Sequence, residues 1–135
     1  MLTNLKGIKL HVDGDIVTFR ARALRFWDAG DLRMCLVGDE SALTRVELGD
    51  EVIEAERSYE FINAVVKQYD GGWHSVSIAE GGSAVPVEDD VTISQDEVYI
   101  ERTFKILSGI QRKKARNEGR LPPWQHPSER KPDGD

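Results

Sequence analysis

The chain has 135 residues, of which 39% are hydrophobic, and its formal net charge is −6. This length allows one domain and an appendage but not two ordinary domains. The sequence contains no signal-like N-terminus and no apolar run approaching the roughly 20 residues that a membrane span requires, so we expect a cytoplasmic protein without a membrane partner.

The charge is unevenly distributed along the chain. Residues 1–100 contain 9 Lys and Arg against 19 Asp and Glu, whereas residues 101–135 contain 9 against 5. The acidic total argues against a nucleic-acid partner, because phosphate binding depends largely on Lys and Arg. An acidic surface also keeps the proteins of halophiles soluble, and there nucleic-acid binding persists through local basic grooves and stacking. Whether the source is halophilic stays open.

The first 93 residues show the pattern of a strand-rich domain. Residues 16–27 alternate apolar with polar, which predicts a long bent strand whose inward side chains are Val17, Phe19, Ala21 and Ala23. Turn residues separate further predicted strands at 32–37, 43–48, 59–69 and 73–79. Gly81, Gly82 and the Val85-Pro86 pair are expected to end the sheet. The expected fold is mainly β, a five-stranded OB-fold barrel followed by a C-terminal α-helix and a Pro-rich tail.

A helix is expected after the sheet. Ser94 and Glu97 have the spacing of a capping box, which predicts that the helix begins there. Its apolar residues share one broad face that must be covered: Tyr99, Ile100, Phe104, Ile106, Leu107 and Ile110. That face either packs on the open end of its own barrel, left bare by the short connection 48–58, or joins another subunit or a different partner. The predicted parts are a domain at 1–93, a helix at 94–119 and a flexible Pro-rich tail at 120–135.

Catalytic constellations are missing from the sequence. The three histidines and Cys35 lack the spacing of a zinc site, and no glycine-rich loop with Lys and Ser or Thr suggests nucleotide binding. The 24 carboxylates are more typical of a solvated acidic face than of an acid–base pair. We therefore expect no enzyme activity, no cofactor and no metal.

Aromatic residues concentrate at two turns of the predicted barrel. Phe26 and Trp27 follow the first strand, and Tyr69, Trp73 and His74 lie between the fourth and fifth. These turns border the oligonucleotide groove of an OB-fold, where flat rings stack on bases. The strand surface between them supplies candidate phosphate contacts: Arg20, Arg22, Arg33, Arg45 and Lys67. In the alternative interpretation, Trp27 or Trp73 caps the barrel core and the arginines only aid solubility.

Four segments together resemble the OB domains of archaeal replication protein A: 17–27, 36–41, 63–66 and 69–73. The most specific is the turn at residues 38–41, similar to the Asp-Glu-Ser/Thr-Gly turn of that family, with Ala42 in place of the usual glycine. The resemblance covers residues 10–93 and implies single-stranded DNA binding in replication, repair or recombination, with groove positions at Trp27 and around Arg33 and Arg45. A haloarchaeal source fits the acidic composition.

Two departures from that family keep other functions open. The connection at 48–58 is short for the helix that the family carries there, and the zinc-ribbon cysteines of some relatives are missing. One rival function is a protein-interaction or accessory subunit with little DNA affinity of its own. A second is an RNA-binding translation or tRNA factor, since OB-folds serve both nucleic acids.

Overall fold

A closed barrel forms the body of the protein in the computed structural model, which describes residues 2–68 and 74–117. The described elements are α1 Leu5–Ile8, β1 Ile16–Ala29, β2 Leu32–Gly38, β3 Leu43–Glu47, β4 Ser58–Gln68, β5 His74–Ser77, β6 Ser83–Pro86 and α2 Glu97–Asn117. The strand order of the six-stranded sheet is β1-β2-β3-β5-β4-β6, and pairing of β4 with β1 closes the first five of these into the barrel. The β3–β5 pair is parallel and the others are antiparallel. The predicted mainly β, five-stranded barrel followed by a helix is confirmed, while the tail at 120–135 lies outside the described residues.

The barrel interior follows from the alternation in β1. Val17, Phe19, Ala21 and Ala23 are buried inside, as the period of two predicts. The Phe19 ring stacks on Phe61 of β4, with 5.0 Å between ring centroids and 18° between planes. These side chains belong to one apolar cluster with residues from all five barrel strands, so the interior is a packed core.

A β-bulge in β1 changes which side chains face inward. Ala23 pairs with Val37 and Arg25 with Leu36, so Leu24 is the extra residue in the register between β1 and β2. Beyond it, Phe26 faces the interior, while Arg25 and Trp27 face outward. Strict alternation from residue 17 gives the opposite assignment, which is why the sequence pattern misplaces this half of the strand.

The short helix α1 was not predicted from the sequence. Its Leu5 and Ile8 side chains are buried in the barrel cluster, and the Asn4 side chain caps its first turn by accepting from the Gly7 amide at 2.7 Å. Four residues are too few to show a helical period, so nothing in the pattern distinguishes this segment from a loop. α1 therefore packs against the barrel core, one end of which the short 48–58 connection was expected to leave bare.

Asp39 holds α1 to the turn between β2 and β3. Its Oδ1 accepts from the Ser41 amide, the Ser41 hydroxyl and the Ala42 amide at 2.6–3.0 Å, and its Oδ2 accepts from the Leu5 amide at 3.0 Å. The carboxylate is almost buried. The turn that resembles the replication protein A family thus has a structural role in this chain, because it ties the β2–β3 turn to α1.

Replacing Asp39 with alanine is expected to lower the free energy of unfolding by about 2–4 kcal/mol, because four hydrogen bonds to a carboxylate are lost and buried amides are left unpaired. Urea denaturation measures the change. Glu40→Ala is the matched control, since Glu40 is the exposed neighbour in the same turn. Equal stability of the two variants contradicts the anchoring role.

Two other local predictions need correction. The helix α2 begins at Glu97, and Asp96 caps it by accepting from the Tyr99 amide at 2.8 Å, while the Ser94 hydroxyl donates to the Glu40 carbonyl instead. The segment expected to end the sheet forms β6, which pairs with the first half of β4. Within the described residues, no helix is long and apolar enough to cross a bilayer.

Cys35 lies inside the barrel, and burial raises the pKa of its thiol to about 12. Because only the thiolate reacts, roughly one thiol in 10⁴ is ionised at pH 8. We expect a disulfide reagent at pH 8 to modify native Cys35 only as fast as the protein opens, and to modify it within seconds in urea. Fast stoichiometric labelling of the native protein contradicts this placement.

Candidate nucleic-acid interface

The outer face of the sheet formed by β1, β2 and β3 is a continuous surface of paired side chains. Beyond the bulge, Arg25 lies opposite Leu36, and Trp27 lies opposite Met34. Arg45 of β3 lies opposite Leu36 on the other side, so it shares this face. An aromatic ring and two guanidinium groups therefore lie on one sheet surface, outside the barrel interior.

The helix α2 packs on this surface. Its Ile100, Phe104 and Leu107 form a second apolar cluster with residues of β1 and β2, namely Leu24, Trp27, Ala29, Met34 and Leu36. The Phe104 ring meets Trp27 edge to face, with 5.7 Å between centroids. Nearer its end, the Arg112 Nε donates to the Asp28 carbonyl at 3.3 Å. The outer face of β1 and β2 is consequently covered by the chain itself.

Arg25 is the polar centre of the contact between α2 and the sheet. Its Nη2 pairs with Glu97, its Nε donates to Glu101 at 3.2 Å, and its Nη1 lies 3.9 Å from Glu56. Arg25 is not among the predicted site residues, because strict alternation places it on the inner face of the strand. The missed signal is its neighbour Leu24, an apolar residue at a position where the alternation requires an outward side chain.

No protein-family model matches the sequence, and no curated protein matches it significantly. Among solved structures, an OB domain from Methanosarcina mazei is 17% identical, with a TM-score of 0.58 over 67% of this chain and 87% of that one. The Schizosaccharomyces pombe Pot1pC domain, solved with single-stranded DNA, is 14% identical, with a TM-score of 0.54 over 80% of this chain and 99% of that one. This chain has an OB-fold.

A third similar structure contains duplex DNA. It is a murine DNA-binding protein, 10% identical, with a TM-score of 0.54 over 67% of this chain; the present chain spans half of its length. In OB-folds, oligonucleotides bind on the face of strands 2 and 3, between the β1–β2 and β4–β5 turns. In this OB-fold α2 packs on the outer face of β1 and β2, which overlaps that surface at β2.

The predicted stacking residues have different positions. Trp27 is only 4% exposed within β1, so the prediction that it is an exposed turn residue is wrong; the bulge directs it outward, under α2. Phe26 is half-buried against the barrel interior. His74 is half-buried at the start of β5 and has contacts of its own. Tyr69 and Trp73 lie outside the described residues.

Three of the five predicted phosphate ligands contact oxygens of the protein itself. Arg20 pairs with Glu60 at 2.9 Å and Lys67 with Glu47 at 3.7 Å. Arg22 donates to the Val91 carbonyl at 2.8 Å.

The other two predicted ligands, Arg33 and Arg45, differ in exposure. Arg33 is exposed and lies opposite Asp28 in the β1–β2 ladder. Arg45 is only 1% exposed, which corrects its assignment to an accessible groove. Its long side chain lies on a face that the sequence pattern treats as open surface.

The predicted apolar face of α2 is divided in two. Ile100 and Leu107 are buried against the sheet and Phe104 is half-buried there, whereas Tyr99, Ile106 and Ile110 are exposed. Packing on the chain's own barrel is thus observed, on the outer sheet face rather than at an open end. The exposed half forms a stripe at positions i, i+7 and i+11 that belongs to neither apolar cluster.

The pKa of Asp15 is lowered mainly by a hydrogen bond from the Val12 amide, and further by the His11 side chain 3.0 Å away. Among residues 2–68 and 74–117, no group of three or more His, Cys, Asp or Glu side chains is placed to hold a metal ion.

Proposed function

We propose that this chain binds single-stranded DNA without catalysing a reaction. The observation that carries the proposal is the closed OB barrel, whose strand 2–3 face is the oligonucleotide surface of this fold. The proposal is supported by the similarity to the Pot1pC domain, which was solved with single-stranded DNA. Since one fold serves many functions, the proposal depends on a binding measurement.

The finer features of the proposal come from the sequence. Arg20 and Arg33 are exposed cations on the barrel, and we assign them to the phosphate track together with Lys67, whereas Arg22 keeps its bond to the Val91 carbonyl. Tyr69, Trp73 and His74 at the β4–β5 turn supply stacking surfaces. The domain at 1–93 is the binding unit in this proposal, which places a replication protein A-like, archaeal protein in replication, repair or recombination.

The exposed stripe of α2 extends the proposal to assembly. Tyr99, Ile106 and Ile110 join a second copy or a different protein, and several grooves on one strand then raise the overall affinity. Light scattering of the full chain tests this part, and a protein that stays monomeric with and without DNA contradicts it.

Fluorescence anisotropy with labelled oligo-dT, oligo-rU and duplex DNA tests the binding proposal at several salt concentrations. We expect oligo-dT to raise the anisotropy most. An equal response to oligo-rU indicates the RNA-binding alternative, and no response to any oligonucleotide contradicts the proposal and leaves a protein-interaction subunit.

The salt dependence tests the assigned phosphate contacts. Each contact to a single strand adds about 0.7 to the slope of log K against log salt concentration, so Arg20→Ala/Arg33→Ala is expected to reduce that slope by about 1.4. Lys6→Ala/Lys9→Ala is the matched control, because it removes two exposed charges from the α1 segment. Equal slopes for the two double variants remove Arg20 and Arg33 from the site.

A further inference from the structure

The helix α2 packs on the outer face of β1 and β2 and so covers the β2 part of the strand 2–3 face by which OB-folds bind oligonucleotides. We propose that α2 is a displaceable cover that competes with single-stranded DNA, and that Arg25 and Trp27 are binding residues beneath it. This inference rests on the proposed function and adds its regulation. Single-stranded DNA and α2 use the same surface, so only one of them occupies it at a time.

The contacts that α2 makes match the chemistry of a single strand. Glu97 and Glu101 bring two carboxylates to the guanidinium of Arg25, as phosphate oxygens do when arginine binds a nucleic-acid backbone. The Phe104 ring makes a T-shaped contact with the Trp27 ring, which in this proposal stacks on a base once α2 is displaced. The helix thus brings carboxylates and an aromatic ring to one sheet surface. A nucleotide brings a comparable pair of groups, its phosphate and its base.

The fit of α2 to the sheet is incomplete. Within the described part of the chain, the buried Trp27 Nε1 and the buried Gln111 Oε1 have no hydrogen-bond partner. Such atoms weaken docking, because each had a water partner before it was buried. The carboxylates on Arg25 are partly in solvent, since the Glu97 side chain is 74% exposed and that of Glu101 is 42% exposed, and such ion pairs add little.

The chain is anchored just before α2. Ser58 Oγ accepts from the Val91 amide at 2.9 Å, and Arg22 Nη2 donates to the Val91 carbonyl at 2.8 Å. Between Val91 and Glu97 the structure shows no helix or strand. α2 can therefore leave the sheet while β6 and the barrel keep their hydrogen bonds.

With a cover of this kind, the apparent affinity for DNA equals the affinity of the open form multiplied by the fraction of molecules in which α2 is displaced. Weakening its attachment without touching the barrel therefore tightens DNA binding. The double variant Glu97→Gln/Glu101→Gln does this in the full chain, because it removes both helix carboxylates from Arg25. The matched control is Glu88→Gln/Asp89→Asn, which removes two exposed carboxylates away from Arg25.

We expect the helix variant to bind oligo-dT roughly 3- to 10-fold more tightly than the control variant, the size that two solvent-exposed ion pairs allow. Arg25→Ala in the helix-variant background should then reverse the gain, because it removes the proposed phosphate ligand. Equal affinity of the helix and control variants contradicts the proposal that α2 competes with DNA. The comparison is valid because both variants lose two negative charges, so a gain from charge alone appears in both.

Hydrogen exchange of the wild-type chain gives a readout that does not depend on substitution. With saturating oligo-dT, amides of residues 97–111 should exchange faster as α2 leaves the sheet, while β1 and β4 keep their protection. Bound DNA with unchanged or slower exchange of α2 overturns the cover and leaves the proposed function intact. If neither the wild type nor the helix variant binds any oligonucleotide, the proposed function itself fails, and the cover fails with it.

Discussion

Replacing Phe61 with alanine is expected to lower the free energy of unfolding by about 3–5 kcal/mol, the range for a large aromatic removed from a packed core. Phe61 is fully buried in β4, and its ring contacts two others, with centroid distances of 5.0 Å to Phe19 and 6.1 Å to Tyr59. The loss is large because the barrel is closed by hydrogen bonds on both sides of β4, so the surrounding strands have little freedom to fill the cavity.

Urea denaturation followed by circular dichroism measures this effect. Phe61→Leu retains most of the volume and should cost less than half as much, while Val52→Ala, at an exposed position in the β3–β4 connection, should change stability by less than about 0.5 kcal/mol. Similar losses for Phe61→Ala and Val52→Ala contradict the assignment of Phe61 to the barrel interior.

The barrel was predictable because its strands follow simple rules. The first half of β1 alternates strictly, and its inward residues Val17, Phe19, Ala21 and Ala23 are the ones the pattern selects. Short turns between apolar runs then fixed the order of the strands along the chain. Long periodic segments with clear turn residues carry their structure in local sequence, so five strands and the helix were recognised.

The features that were predicted wrongly or not at all depend on a single residue or on contacts between residues far apart in the sequence. The extra residue Leu24 exchanges the two faces of the second half of β1, and its own apolar side chain is the one local sign of the bulge. The helix α1 is too short to show a period, and its position depends on Asp39, which is 34 residues away from Leu5 along the chain. The local periodicity of the sequence does not predict contacts of this kind.

The candidate site was the least predictable part for the same reason. Composition selected basic and aromatic residues, but the accessibility of the outer face of β1 and β2 is decided by α2, which follows β1 by about 70 residues along the chain. Trp27 is buried beneath α2, Arg45 is buried as well, and Arg25 contacts Glu97 and Glu101 of α2. The sequence shows which residues are charged or aromatic. Whether a helix such as α2 packs over them depends on tertiary structure, which local sequence does not show.

Replacing Trp27 with alanine is expected to cost about 3–5 kcal/mol of stability in the absence of DNA. The ring is buried between β1 and α2, and its edge-to-face contact with Phe104 has a centroid distance of 5.7 Å. An exposed stacking residue in a turn has no comparable effect on unfolding. The stability change therefore separates the position of Trp27 in the structure from the position that the sequence pattern indicates.

Two further variants define the contribution of the ring. Trp27→Phe keeps an aromatic contact with Phe104 and removes the indole N–H, which has no partner within the described residues, so it should cost about 1 kcal/mol or less. A double-mutant cycle of Trp27→Ala and Phe104→Ala should give a coupling of about 0.5–1.5 kcal/mol. Zero coupling, together with an unchanged thermal midpoint for Trp27→Ala and weaker binding to oligo-dT, places the indole in solvent as a stacking residue and contradicts its burial beneath α2.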